Sequence, residues 1–222
     1  NGAFDFEFVN MQVSVKSEIY NGSDNIPYTV VAGQKWGALT PFNGTRDLLN
    51  IIVWEDAPKL NITGHDYGCL PWDANAIFPF DETKESGRSG IKQLLEDAKP
   101  NANIWVFFTL KGANADLKIE DWAQDSTALG YNLFSLLESY GATHIRELQD
   151  RGTVPYILYF TKDQGVNDEK IGLDVYDNQI VFGTGRRKPW EGNMTSTIIG
   201  PAKSWDSFIW QTSNVQTQDS FF

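Results

Sequence analysis

The sequence predicts an α+β (or α/β) fold, mainly antiparallel β-sheets with two helices packed on them. Three observations carry this. Runs of period two, or of four to seven continuous apolar residues, recur along the chain and outnumber helical stripes. Only two stripes have helical spacing, and each lies between strand-like runs. Finally, 19 glycines and 9 prolines punctuate a chain that is 41% hydrophobic and 14% aromatic, as in a loop-rich, strand-rich globular protein. The 222 residues are read as a single domain, 1–222, with a loosely held tail at 213–222.

Taken in order, Phe4, Phe6 and Phe8, then Met11, Val13 and Val15, alternate with polar partners and predict one or two strands broken near Asn10. Residues 21–25 are a turn cluster, Tyr28–Ala32 is a short strand closed by Gly33, and Trp36–Phe42 is a Gly/Pro-punctuated loop. Leu48–Trp54, LLNIIVW, is a buried strand, too short and too β-branched for a helix. Lys59–Thr63 is expected to pair back after Pro58, and His65–Asn75 to be irregular. Ala76–Phe80 is a strand ending at Asp81.

Ile91, Leu94, Leu95 and Ala98 form one helix face within Glu82–Ala98, which must stop before Pro100. Ile104–Leu110, IWVFFTL, is the most continuous apolar run and predicts a central strand buried on both faces. Leu129, Leu133, Leu136, Leu137 and Tyr140 stripe a second helix, capped by Gly141 and started near Asp125 or Ser126, with Ile119–Ala123 an additional turn. Tyr156–Phe160 is a strand with Pro155 at its start. Lys162–Lys170 reads as polar loop, and Ile171–Val175 with Gln179–Phe182 as a hairpin turning at Asp177-Asn178. Gly183–Gly192 is a basic loop, and Thr197–Ile199 and Ser207–Trp210 are late strands.

A net charge of −11 sets the chain against phosphate backbones and anionic membrane surfaces, so no nucleic-acid partner is expected. No run reaches the roughly 18 apolar residues of a membrane span. The start at Asn1, with neither Met nor a signal pattern, suits a processed chain or an excised domain. Four sequons, at Asn21, Asn43, Asn61 and Asn193, point to a secreted, extracellular glycoprotein. Cys69, the one cysteine, allows no intrachain disulfide; it is a buried thiol or an interchain bridge that would make a homo-oligomer.

Catalytic signatures are missing. His65 and His144 belong to no HExxH pair, no GxSxG elbow occurs, and GTGRRKPWEG lacks the GK[ST] of a phosphate loop. No metal and no cofactor is expected, and the chain is read as no enzyme. Trp36, Trp54, Trp72, Trp122 and Trp190 lie in or beside loop-like sequence, where an aromatic that holds a sugar face belongs.

The stretch from Gly44 to Gly165 resembles the interleukin-like epithelial–mesenchymal-transition inducer (ILEI) domain family. The resemblance rests on the order of Gly44-Thr45-Arg46 before LLNIIVW, then Phe80-Asp81-Glu82-Thr83, a helix, IWVFFTL, and Tyr140-Gly141-Ala142. It ends with Arg151 ahead of a strand that runs into Lys162-Asp163-Gln164-Gly165. The chain departs from the family in lacking paired cysteines and a clear Asp just after the central strand. The resemblance implies either secreted signalling proteins without enzymatic activity or glycan-binding modules. The latter include the stem domain of O-mannose N-acetylglucosaminyltransferase, where two arginines and an aspartate contact an N-acetylglucosamine.

Arg46 and Arg151 match the arginine positions, and Asn114 or Asp116 stands for the aspartate. The resulting expectation is a secreted, non-enzymatic lectin for a terminal N-acetylglucosamine-type sugar. In it Arg46, Arg151, Asn114 and Asp116 form the polar ring, a Trp such as Trp54 stacks on the sugar, and glycans or glycoproteins are the partners. The alternative is a cytokine-like signalling or structural extracellular protein that acts through protein–protein contacts.

Overall fold

The computed structural model describes residues 9–19, 28–31, 34–38, 47–59, 66–70 and 77–187, all within one compact unit, Asn1–Trp190. Among them are nine strands: β1 Val9–Ser17, β2 Tyr28–Val31, β3 Gln34–Ala38, β4 Leu48–Trp54, β5 Phe78–Phe80, β6 Asn103–Thr109, β7 Tyr156–Thr161, β8 Gly165–Ile171 and β9 Gln179–Arg187. Five α-helical segments accompany them: α1 Glu85–Asp97, α2 Ile119–Trp122, α3 Asp125–Ala128, α4 Leu133–Ser139 and α5 Leu148–Arg151.

The strands make two sheets, ordered β3-β2-β1-β9 and β5-β4-β6-β7-β8, and every pairing between them is antiparallel. The α+β, mainly antiparallel class is therefore the observed one.

The five-stranded sheet is apolar on both sides because both sides are covered. Leu49, Ile51 and Val53 of β4, with Ile104, Val106 and Phe108 of β6 and Tyr156, Leu158 and Phe160 of β7, pack with Ile91, Leu94 and Leu95 of α1 and with Phe134 and Leu137 of α4. The alternate residues Ile52, Trp54, Trp105, Phe107, Ile157 and Tyr159 pack instead with Val13, Val15 and Val181 of the other sheet. The result is three layers, sheet on sheet on helices. Each fully buried aliphatic or aromatic side chain stabilises this by roughly 1.5–3 kcal/mol. Since polarity cannot choose between two apolar faces, buried polar atoms help fix register: Asn50 donates to Thr109 Oγ1 across the β4–β6 pair at 3.2 Å.

Several expected elements take a different form. Lys162–Lys170 contains β8: its polar sequence GVNDEKI suits an edge strand, where charge discourages a further strand from pairing. Residues 171–182 are no hairpin, because β8 pairs with β7 and β9 pairs with β1, and the chain changes sheet across 172–178. Residues 36–38, the start of the expected loop Trp36–Phe42, belong to β3. The second helix is broken into α3 and α4 at Gly130, whose φ is +75°, and restarts at Asn132. There Asn132 Oδ1 accepts the Ser135 N–H at 2.8 Å, a capping box. The expected strands at 59–63, 197–199 and 207–210 fall wholly or mainly outside the described residues.

The glycines of β9 have a packing role. A Cβ on Gly183 would lie 2.5 Å from the Trp105 ring, and one on Gly185 2.5 Å from the Trp54 ring. The indoles sit flat under the strand, with Trp105 stacked on Tyr159 at 4.6 Å.

Candidate functional site

At the end where β4 begins and β6 leaves, the large sheet comes apart. The β6–β7 pairing stops at Phe107↔Ile157. Beyond it the Ser17 hydroxyl donates to the Phe108 carbonyl at 2.7 Å and accepts the Tyr156 N–H at 3.2 Å. Ile19 then bridges to Leu110. The end of β1 is thus wedged between the two strands, and the loops leaving them diverge around it. A split between neighbouring strands is a place where loops can line a recess.

Asp47, just before β4, organises the loops. Its carboxylate, 2% exposed, accepts the N–H of Lys111 at 2.7 Å and of Asp116 at 2.8 Å, and pairs with Lys111 Nζ at 3.3 Å. The loop after β6 is thereby folded onto the residue that follows Arg46. From the same loop the Leu117 N–H donates to Thr153 Oγ1 at 2.9 Å, which ties it to the segment after α5. Arg151, the last residue of α5, donates from one terminal nitrogen to the Gly172 carbonyl at 3.1 Å and from the other to Glu147 at 2.7 Å. Its side chain stays 29% exposed. The second oxygen of Glu147 lies 2.5 Å from His144 Nδ1, and this contact holds the imidazole pKa above its ordinary value.

The structure therefore brings together the loops of Asn114, Asp116 and Arg151. Asn114 is exposed. Asp116 is exposed and engaged with Lys118, whose ammonium and backbone N–H hold its carboxyl below the ordinary range. Arg46 lies outside the described residues, as do the sequons Asn21, Asn43, Asn61 and Asn193.

Two expectations need correction. Trp54 sits at the far end of β4 from Asp47, about 23 Å away at roughly 3.3 Å per residue. It is 1% exposed, with its indole N–H donating to the Arg186 carbonyl at 2.6 Å, so it presents no face to a sugar. Of the two readings of Cys69, the buried thiol holds and the interchain bridge does not: Cys69 is 2% exposed and packed in the helix-side core, so a bridge to another chain would require that core to open.

The sequence reading missed the charges beneath these loops. Glu82 is fully buried, and one carboxylate oxygen accepts the Leu49 N–H at 3.1 Å. Burial pushes its pKa well above the ordinary value, and Asp81 and Asp47 add to the effect. Arg88 donates to the Glu82 carbonyl at 2.6 Å and forks onto Asp125, pinning α1 to α3. Its motif carried a signal: Gly87 and Gly90 flank it at helical spacing. A Cβ on either would strike backbone, 2.2 Å from the Asp81 carbonyl or 1.8 Å from that of Tyr67.

Among the described residues the buried charged side chains are Glu18, Asp47, Glu82, Arg88 and Asp125. All belong to this end, for Glu18 accepts the Leu110 N–H through its carbonyl at 3.4 Å and the rest are linked to β4 or to one another. Charges in a low-dielectric interior are costly unless paired, and here Glu18, Asp47, Arg88 and Asp125 are each ion-paired. Comparison of the chain with models of known protein families and with curated proteins returns no match.

Proposed function

We propose that the protein is a secreted, non-enzymatic lectin that binds the terminal sugar of a glycan at the β4–β6–β7 end, in the manner of the ILEI-like glycan-binding modules it resembles. The observation that carries this reading is the tie through Asp47, Asp116, Leu117 and Thr153. It draws Asp47 and the segments of Asn114 and Arg151 to one end of the sheet. A guanidinium fixed on two sides and an exposed carboxamide are the donors and acceptors that ring hydroxyls require.

The test is a glycan array followed by calorimetry with methyl β-N-acetylglucosaminide. Binding that Arg151→Ala weakens at least about tenfold is the expected result. A folded protein that retains no glycan on the array overturns the reading and leaves the protein–protein alternative.

A further inference from the structure

The segment that carries the chain from β8 to β9 is fastened to Arg151 and then braced on itself. Its first residue, Gly172, accepts Arg151 through its carbonyl at 3.1 Å and donates its N–H to the Pro155 carbonyl at 2.7 Å. Beyond it, Asp177 Oδ2 accepts the Leu173 N–H at 2.6 Å and Asp174 Oδ1 accepts the Tyr176 N–H at 2.7 Å. The Asp177 N–H returns to the Asp174 carbonyl at 3.3 Å. The turn closes tightly over Gly172, where a Cβ would meet the Asp174 carbonyl, Asp177 Cβ and Pro155 Cδ, each at 3.1 Å. Residue 176 is therefore held close to the carbonyl that Arg151 grips.

This rigid segment leaves its apolar side chains in water. Leu173 is 77% exposed and Tyr176 68% exposed. Among the described side chains the exposed aromatics are Tyr176 and Phe182, and Phe182 lies along β9 rather than in a loop at this end. Trp54, Trp105 and Trp122 are all buried. A tyrosine whose backbone is fixed by two aspartates has already lost much of the conformational freedom that binding would otherwise remove.

We infer that Tyr176 is the stacking platform of this end and that the ligand it takes is an uncharged hexopyranoside; the inference rests on the glycan-binding reading above. A pyranose presents a face of C–H groups and a rim of hydroxyls. An exposed aromatic ring, on a turn whose first carbonyl a fixed guanidinium grips, offers an apolar surface on a segment that also carries polar donors. Charge selects among sugars: Lys111, Lys118, Arg146 and Arg151 are each paired, with Asp47, Asp116, Glu138 and Glu147, and the linked segments carry Asp150, Asp174 and Asp177 besides, on a chain of net charge −11. That excess of carboxylate repels a uronic or sialic acid.

The experiment titrates methyl β-N-acetylglucosaminide and methyl β-glucuronide into the wild type, Tyr176→Ala, Tyr176→Phe and Arg151→Ala, by calorimetry and by NMR of the tyrosine ring protons. Far-UV circular dichroism checks that each variant is folded. The expected result is about a tenfold loss for Tyr176→Ala, near-wild-type binding for Tyr176→Phe, a change in the Tyr176 ring-proton shifts on adding the neutral sugar, and glucuronide at least about tenfold weaker. Unchanged binding in Tyr176→Ala, with Arg151→Ala defective, overturns the platform and leaves the glycan reading standing. Tighter glucuronide binding overturns the choice of an uncharged ligand. A wild type that binds neither sugar, nor any glycan on the array, removes both this inference and the reading beneath it.

Discussion

Glu82 shows how one residue can couple this end of the molecule to pH. Its carboxyl is fully enclosed, one oxygen accepts the Leu49 N–H, and the other is buried with no hydrogen-bond partner among the described residues. With its folded pKa raised above the ordinary 4.5, the native state holds a proton that the unfolded chain releases. Stability is therefore fully present below that ordinary value and declines as pH rises toward the folded pKa, by up to about 1.4 kcal/mol per pH unit across the window. Glu82→Gln, which cannot ionise, should match the wild type near pH 4 and exceed it increasingly at higher pH. Urea denaturation of both proteins from pH 4 to 8 checks this, and parallel profiles would exclude the assignment. Glu82 was visible in the sequence as part of Phe80-Asp81-Glu82-Thr83, but its enclosure was not, because burial of an acid depends on neighbours far along the chain. Tyr176 was hidden for another reason: it falls between the expected strand Ile171–Val175 and the expected turn at Asp177-Asn178, and only the change of sheet at 172–178 places it in water.

Among the elements, α1 depends on a residue outside itself. Its last turn has no basic side chain, and its final carbonyls lack intrahelical partners. Lys162, from the β7–β8 turn, donates through Nζ to the carbonyls of Leu95 at 3.0 Å, Glu96 at 2.6 Å and Ala98 at 2.5 Å. The ammonium also sits at the negative end of the helix dipole. Lys162→Met keeps the apolar stem and removes the donors. It should cost about 1–3 kcal/mol and speed amide exchange first in the last turn of α1, read by thermal denaturation and hydrogen–deuterium exchange. An unchanged melting temperature with unchanged exchange would show the cap to be dispensable. The strands most legible in the sequence, β4, β6 and β7, are those buried on both faces, since continuous apolar runs declare themselves. β8 was not legible, because the charges that protect an edge also erase its pattern. The false hairpin has a similar cause: alternation reveals a strand but not the sheet it joins.

Across the whole molecule, the candidate site depends on Asp47, whose one carboxylate holds the loop after β6 to the start of β4. Asp47→Ala leaves the Lys111 and Asp116 N–H groups without that acceptor and should destabilise by about 2–4 kcal/mol. Exchange of these two amides should rise before that of β4 and β6; protection lost evenly throughout would mean that Asp47 has no special hold on the loops. The sequence order brought Arg46, Asn114 and Arg151 into one hypothesis, and the described loops of Asn114 and Arg151 do meet. Trp54 failed because adjacency to a loop says nothing about which end of a strand that loop occupies. The pairing of β1 with β9 has a further consequence, in time rather than space. Val13 finds Gly183 only 170 residues later along the chain. At roughly 5–20 residues per second, a ribosome needs about 10–30 s to make that stretch. Throughout this interval β1 can pair only with strands already made, such as β2, and its other edge awaits a partner not yet synthesised. The late arrival of β9 closes the sandwich, so a chain stalled before residue 179 would carry a nearly complete helix-backed sheet and an open, aggregation-prone edge.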